Sequence, residues 1–209
     1  MKNHYEKNYH EVVHGNLLKN GKYYLFRAKC SQKYWKYLRG NVLEFGCGLG
    51  QNIFLNKEKS VGVDVSEFCI DKCKERGIKV FKNLKDVKAK IDSILCVHVL
   101  EHLRNPDAIL NEFYNSLEKG GTLVLVLPEF SKNIVYKSFK PNIGKHLYGW
   151  NFGYINELLH LNGFNVVKNQ FNYGGGYSMF YKYPFGESLV KGFGKLMKKR
   201  EMIIVAKKN

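Results

Sequence analysis

The sequence contains little that would divide it, anchor it in a membrane or direct its export. Only four prolines occur in 209 residues, which argues against long disordered linkers. No run reaches the roughly 20 apolar residues of a membrane span, and residues 1–20 lack the apolar core of a signal peptide. The length suits one α/β domain and is too short for two with independent cores. We therefore expect a single domain located in the cytoplasm.

Acidic residues are also scarce, and the cysteines form no recognisable pattern. The chain has 18 Asp and Glu against 34 Lys and Arg, a formal net charge of +16. This charge favours an acidic partner, which could be nucleic acid, a membrane surface or a phosphorylated or carboxylated small molecule. A solvated lysine-rich face would give the same charge. The five cysteines include no C-x-x-C pair, so neither a disulfide framework nor a zinc knuckle is expected.

Short apolar segments alternate with amphipathic segments along the chain. The apolar segments predict strands over residues 41–45, 60–65, 78–81, 91–97, 122–127, 164–171 and 202–206. The amphipathic segments predict helices over residues 22–38, from Gln51 onward, and over 66–76, 106–117 and 154–161. Gly77 is expected to end the third helix, and Gly120 and Gly121 the fourth. Residues 129–151 and 172–200 are predicted to be irregular.

This alternation predicts an α/β fold. We expect a Rossmann-like, doubly wound, mostly parallel sheet with helices on both faces and a C-terminal antiparallel strand. The expected parts of the single domain are an N-terminal helical cap (1–39), a cofactor-binding core (40–128) and substrate-side segments with the last two strands (129–209).

The first predicted strand leads into a glycine-rich loop, Gly46-Cys47-Gly48-Leu49-Gly50, with Glu44 near the end of the strand. Ligands of such sheets bind at the carboxyl ends of the strands, and glycines let backbone N–H groups approach them. A dinucleotide fingerprint that begins at Gly46 needs a glycine where Gln51 stands. Glu44 would repel a pyrophosphate but can stabilise an ammonium group. The loop therefore favours an amino-acid-bearing cofactor over NAD, although it could also be only a tight turn.

Asp64 lies near the end of the second predicted strand, twenty positions after Glu44. A carboxylate at this place can accept hydrogen bonds from both hydroxyl groups of a ribose. An Asp that ends a strand can also serve only as a turn or cap residue. Its position after the glycine loop favours the ribose role.

The segments E-F-G-C-G-L-G and V-G-V-D-V-S resemble the first two motifs of class I S-adenosylmethionine-dependent methyltransferases. The resemblance continues through residues 91–103 and 117–123 and covers roughly residues 40–128. The sequence is similar in particular to the small-molecule branch of this family, which includes quinone-biosynthesis O-methyltransferases and sugar methyltransferases. The resemblance implies S-adenosylmethionine as the methyl donor and S-adenosylhomocysteine as a product.

The resemblance also implies a set of cofactor-binding residues. The methionine part is expected at Glu44 and the glycine loop, the ribose at Asp64 and one face of the adenine at Val65. Cys96 and His98 are expected to line the cofactor from the fourth strand. Family members commonly carry Asp at the adenine end of the third strand, where Asn83 and Leu84 are the candidates here. The predicted cofactor residues are thus Glu44, Gly46, Cys47, Gly48, Gly50, Asp64, Val65, Asn83, Cys96 and His98.

Methyl transfer requires positioning and, when the acceptor must lose a proton, a general base. His102 and His146 are the predicted catalytic residues, because imidazole titrates in a suitable range; His98 and a buried Glu101 are further candidates. Glu101 and His102 could instead be a structural pair, and His146 an ordinary loop residue. His98 and His102 have the spacing of an H-E-x-x-H zinc helix, but the acid precedes the second histidine. We therefore expect no metal site.

The remaining sequence features concern the acceptor. Residues 131–145 contain four lysines and residues 191–200 five basic residues, neither with an acid, which would suit a phosphorylated substrate or a solvated face. Residues 171–181 combine glycines with aromatics, as in a lid or pocket wall. We predict methyl transfer to an O or N atom of a small molecule that is phosphorylated, sugar-linked or quinone-like. The alternative functions are an RNA methyltransferase, a non-catalytic cofactor-binding module and an NAD-dependent oxidoreductase. The sequence also allows peripheral contact with a membrane, and it leaves the oligomeric state open.

Overall fold

The computed structural model describes residues 6–129 and 146–209. Its helices are α1 (Lys7–Val13), α2 (Gly15–Lys19), α3 (Gly21–Trp35), α4 (Glu67–Glu75), α5 (Pro106–Ser116), α6 (Phe152–Leu161), α7 (Tyr177–Phe180) and α8 (Gly186–Leu196). Its strands are β1 (Val42–Phe45), β2 (Ser60–Val63), β3 (Val80–Phe81), β4 (Ile91–Val97), β5 (Leu117–Pro128), β6 (Phe164–Tyr173) and β7 (Arg200–Lys208). None of the helices among these residues is long and apolar enough to cross a membrane.

The strands form one seven-stranded sheet in the order β3-β2-β1-β4-β5-β7-β6. Strands β1 to β5 are parallel to one another, whereas β7 runs antiparallel to both β5 and β6. The strand order reverses at β1, which pairs with β2 on one side and β4 on the other. The Rossmann-like fold with a C-terminal antiparallel strand is thereby confirmed.

Helices cover both faces of the sheet, as predicted. On one face, Leu123 and Leu125 of β5 pack with Leu110 of α5 and Ile155 of α6 in the largest buried cluster. On the other face, the alternate residues of β5, such as Val124, pack beneath α3. This arrangement explains why β5 is apolar on successive positions: each of its faces is covered.

The predicted helix from Gln51 onward is wrong. The chain forms turns followed by a 3₁₀ segment, Phe54–Lys59, with a kink at Asn56. This short stretch has to return the chain to the start of β2. A 3₁₀ helix advances about 2.0 Å per residue and an α-helix about 1.5 Å, so the tighter helix spans the four-residue strand with fewer residues.

The predicted role of Gly120 and Gly121 is also wrong. Helix α5 already ends at Ser116, and both glycines lie in β5. The pairing of β4 with β5 shifts register between Ile91 and Ser93, and Gly120 has a φ of 68° there. The glycines therefore accommodate a bulge at the start of the strand.

Residues 172–200 are not irregular as predicted, because they include the end of β6 and helices α7 and α8. Three glycines in α8 weaken the helical signal in the sequence. At Gly194, a Cβ would lie 2.4 Å from the Gly174 amide nitrogen, and at Gly186 2.4 Å from a carbonyl oxygen of α7. These two glycines let α8 pack closely against its neighbours. The lysine-rich segment 131–145 lies outside the described residues, which end at Glu129 before it and resume at His146 after it.

Candidate functional site

A cavity of about 1140 Å³ opens at the carboxyl edge of the parallel strands. The register aligns the ends of three strands there, because Phe45 pairs with both Val63 and Cys96. The residues that follow β1, β2 and β4 therefore emerge side by side at the point where the strand order reverses. Of the predicted site residues, the cavity wall includes Gly46, Cys47, Gly48, Asp64, Val65, Asn83, His98, His102 and His146.

The three glycines of the loop after β1 all have positive φ, but their missing side chains matter for different reasons. A Cβ at Gly46 would lie 2.4 Å from Val99 Cγ2, and one at Gly50 2.4 Å from Ile78 Cδ1. These two glycines are required for packing within the protein. A Cβ at Gly48 meets no atom within 4 Å, and Gly48 lines the cavity. Gly48 is thus the position at which the loop leaves room for a ligand.

Asp64 connects the ends of β1 and β2. Its Oδ2 accepts a hydrogen bond of 2.7 Å from the Gly48 amide, and its Oδ1 accepts one of 3.0 Å from the Ser66 amide. Burial raises the pKa of Asp64 despite these two hydrogen bonds. The carboxylate lines the cavity, so its oxygens can also accept hydrogen bonds from a ligand hydroxyl pair. Val65 follows directly and is 54% exposed on the same wall.

Three predicted cofactor residues do not reach the cavity wall. Glu44 is 1% exposed and accepts a 2.5 Å hydrogen bond from Asn52, which itself lines the cavity. Burial raises the pKa of Glu44 well above its usual range. Cys96 is fully buried in the core, and Gly50 packs against α4 and Ile78. Asn52 therefore connects Glu44 to the cavity, and direct contact of a ligand with these three residues stays a prediction.

His98 follows β4 in a left-handed conformation, with a φ of 53°. Its Nε2 lies 3.1 Å from Glu201 Oε2, and 43% of its side chain is exposed towards the cavity. Enclosure by the cavity walls lowers the pKa of His98, but the hydrogen bond and the charge of Glu201 outweigh this effect and raise it. The left-handed backbone, which is unfavourable for a residue other than glycine, aims the imidazole at this carboxylate.

Glu201 is a site residue that sequence reasoning missed. Tyr34 Oη and Asn172 Nδ2 donate hydrogen bonds of 2.8 and 2.7 Å to its Oε1, and Lys33 Nζ lies 2.9 Å away. Although burial acts in the opposite direction, His98 and Lys33 hold the pKa of Glu201 well below its usual range. The signal was its position at the start of the last strand, because the start of an antiparallel strand lies at the carboxyl edge of its parallel neighbours.

Glu101, His102 and His146 form a cluster on the cavity wall. Glu101 is fully buried, and His102 Nε2 lies 3.8 Å from Glu101 Oε1. The rings of His102 and His146 are 4.7 Å apart. The structure thus brings the two predicted catalytic residues together, although they are far apart in sequence.

The N-terminal helices line part of the cavity, in the region predicted as a helical cap. His10 Nε2 lies 3.0 Å from Cys69 Sγ of α4. Glu6 accepts hydrogen bonds from Ser66 Oγ and the Phe68 amide, at 3.2 and 3.3 Å. His14 lines the cavity, and its burial lowers its pKa to about 4. These contacts join the N-terminal segment to the start of α4, directly beside Asp64.

Residues 16–169 match the family described as methyltransferase domain. No match was found among curated proteins.

Solved structures share the fold. An S-adenosylmethionine-dependent methyltransferase of Thermotoga maritima, described as a possible histamine N-methyltransferase, has a TM-score of 0.66 and 18% identity, covering 97% of this chain and 99% of that one. A second such methyltransferase, from Archaeoglobus fulgidus, has a TM-score of 0.61 and 21% identity, with 93% and 98% covered. Magnesium protoporphyrin IX methyltransferase of Synechocystis, with bound S-adenosylhomocysteine, has a TM-score of 0.59 and 13% identity, with 90% and 84% covered.

The family match covers most of the chain, and the glycine loop and Asp64 lie where ligands of this fold bind. The chain therefore belongs to the methyltransferase domain family and has the fold of class I S-adenosylmethionine-dependent methyltransferases.

Proposed function

We propose that the protein transfers a methyl group from S-adenosylmethionine to an oxygen or nitrogen atom of a small molecule. The observation that supports this function most directly is the pairing of Gly48 with Asp64. One leaves open space for a ligand at the cavity wall, and the other is a carboxylate hydrogen-bonded to the same loop. This combination fits S-adenosylmethionine, with its amino-acid part in the open space at Gly48 and its ribose at Asp64.

The volume of the cavity exceeds that of a typical pocket for one small molecule. Pockets that bind one small molecule are commonly about 300–1,000 Å³, and this cavity measures about 1140 Å³. The glycine loop and Asp64 would bind the cofactor at the switch in strand order, with Val65 and Asn83 towards the adenine. When bound, S-adenosylmethionine supplies an electrophilic methyl group that needs no activation by the protein. The chain's own contribution is then to position the acceptor and to receive its proton.

We place the acceptor at the imidazole-rich part of the wall. His98, His102 and His146 lie together on the cavity there, and Glu201 fixes the orientation of His98. Burial, and after it the charge of His98, lowers the pKa of His146, which favours the neutral imidazole. Our catalytic proposals therefore remain His102 and His146, as groups that contact the acceptor and its proton.

A small-molecule acceptor is also in keeping with the structural neighbours. The descriptions of these proteins name histamine and magnesium protoporphyrin IX, and a neighbour from Haemonchus contortus is a phosphoethanolamine N-methyltransferase. Their identities of 13–18% extend only the fold to this chain. The acceptor class is thus our proposal, and quinone-like and sugar-linked acceptors stay predictions.

The test is a transfer assay with isotopically labelled methyl donor. Pools of small molecules with hydroxyl or amine groups are compared with total cellular RNA and with no acceptor. We expect label in a small-molecule product, and loss of that product in the Gly48→Ala variant. Label that enters RNA alone would instead establish the RNA methyltransferase. The absence of transfer to any pool, with intact cofactor binding, would favour the non-catalytic module.

A further inference from the structure

The cluster of Glu101, His102 and His146 contains a buried carboxylate that lacks a hydrogen-bond donor in the described part of the chain, a feature that a set of general bases does not require. The Glu101 side chain is fully buried, and among the described residues neither of its carboxylate oxygens has a hydrogen-bond partner. The nearest imidazole nitrogens are those of His102 at 3.8 Å and His98 at 4.0 Å. Both distances exceed a hydrogen bond. A carboxylate removed from water without a donor is costly, and in proteins such groups are normally paired or bind a metal.

Hydrogen bonds of the two residues after His146 position the third member of the cluster without any contact of the His146 side chain. The amides of Leu147 and Tyr148 donate hydrogen bonds of 2.8 and 3.3 Å to the Glu101 carbonyl oxygen. The Tyr148 hydroxyl donates a further one, of 3.1 Å, to the carbonyl of Arg104. Residues 146–148 are therefore fixed against the segment that follows β4. His146 is brought to Glu101 and His102 by the fold, and not by a chance rotamer of a loop residue.

We propose that Glu101, His102 and His146 bind one divalent transition-metal ion on the cavity wall. One ligand atom from each of the three residues lies within 4.8 Å of the other two. Bonds of about 2.0–2.2 Å place two ligands of one ion roughly 3–4 Å apart, so movements of about 1 Å close the site. The exposed side chain of His146 has the freedom to make them.

The donor set selects the class of ion. Two imidazole nitrogens and one carboxylate oxygen suit Zn²⁺, Fe²⁺, Co²⁺ or Mn²⁺, whereas Mg²⁺ and Ca²⁺ prefer an all-oxygen site. The spacing argument against a zinc helix does not apply to this set, because it concerned His98 and His102 as helical neighbours. The residues form a 3₁₀ turn, Leu100–His102, and the third ligand comes from a distant segment.

Three protein ligands leave coordination positions for a substrate or water. Because the cluster faces the cavity, these positions would be available to the acceptor, a step that rests on the proposed function. The acceptor class would then be one with an oxygen donor able to bind the ion beside the atom that is methylated. In the metal-bound protein, His102 and His146 would act as ligands and so position the acceptor, and the proton-accepting role proposed above would apply to the metal-free protein.

The test is a calorimetric titration of the untagged full-length protein with ZnCl₂, MnCl₂ and MgCl₂ in the absence of cofactor. We expect one Zn²⁺ per chain, with Mg²⁺ much weaker. Glu101→Gln, His102→Asn and His146→Asn should each weaken Zn²⁺ binding by about tenfold or more. The visible spectrum of bound Co²⁺ should change in the same three variants, which reports on the ligands themselves.

Matched controls separate this site from adventitious binding. Glu112→Gln changes another carboxylate on the cavity wall, and His160→Asn changes an exposed histidine on α6; both should bind Zn²⁺ like the wild type. No Zn²⁺ binding, or equal binding by the wild type and all three cluster variants, would overturn the proposal. His146 is exposed, so its variant decides the question if Glu101→Gln does not fold. S-Adenosylhomocysteine binding measured in EDTA tests the proposed function separately, and either can fail alone.

Discussion

Replacing Gly48 by alanine separates the ligand-binding role of the glycine loop from its structural role. Gly48 has a φ of 52°, and an added Cβ meets no protein atom within 4 Å. The backbone conformation costs an L-residue about 1–2 kcal/mol. For a chain of this size, that corresponds to a melting temperature lower by roughly 2–8 °C. The hydrogen bond from the residue 48 amide to Asp64 does not involve the side chain and remains.

The effect on cofactor binding should be larger than this strain implies. The new methyl group projects into the cavity at the place proposed for the methionine part, and overpacking of this kind costs about 1–3 kcal/mol. Since about 1.4 kcal/mol is a factor of ten, we expect S-adenosylhomocysteine to bind roughly tenfold or more weakly. Calorimetric titration measures this change, and thermal melts without ligand measure the strain.

Gly120→Ala is the matched control. Gly120 has a φ of 68°, its Cβ would make only an ordinary contact of 3.6 Å with Arg39, and it lies outside the cavity. It should show a similar loss of melting temperature with unchanged affinity. Gly50→Ala, whose Cβ would lie 2.4 Å from Ile78, should destabilise the fold severely. If Gly48→Ala and Gly120→Ala bind S-adenosylhomocysteine equally well, the proposed position of the cofactor is refuted.

Three further predictions concern titratable groups at the site. Asp64→Asn should weaken S-adenosylhomocysteine binding by roughly tenfold or more, because hydrogen bonds to a charged group contribute about 1.5–3 kcal/mol. The control variant Asp71→Asn, at an exposed position of α4, should leave the affinity unchanged. Equal affinities of the two variants for S-adenosylhomocysteine would remove Asp64 from the site. The neutral form of His14 is favoured in the native state, with a pKa of about 4 against 6.5 when unfolded. The stability of the fold should therefore be full above pH 6.5 and fall as the pH decreases towards 4. Thermal melts of His14→Gln should show a flatter pH dependence than those of the wild type, and an unchanged slope would contradict this prediction. Glu201→Gln should lower the pKa of His98, as followed by NMR titration in metal-free buffer, and an unchanged or raised pKa would contradict the pairing.

The architecture of the sheet could be predicted because its signals are local. Apolar segments of strand length, the glycine loop after β1 and the acid after β2 all lie within a few residues of the feature that they indicate. Ser66 is an example: it begins the predicted helix over residues 66–76, and its side chain accepts a hydrogen bond from the Cys69 amide and so caps α4. The local errors at Gln51 and Gly120 arose because the same residues suit a turn, a bulge or a helix end.

The set of residues proposed to surround the acceptor could not be predicted in the same way, because it depends on contacts between segments that are distant in sequence. Glu201 meets His98 only because β7 runs antiparallel beside β5. His146 meets Glu101 only through the backbone hydrogen bonds of the two residues that follow it. Glu44 shows the converse: its position in the motif was correct, but the fold buries it behind Asn52. The chemistry of a residue type is visible in the sequence, whereas its exposure and its partners are set by topology.

The most direct test of the account is a calorimetric titration of the wild-type chain with S-adenosylhomocysteine, with NAD⁺ as the comparison. We predict saturable binding of one S-adenosylhomocysteine per chain and no response to NAD⁺. Saturable binding of NAD⁺ without any response to S-adenosylhomocysteine would contradict the account.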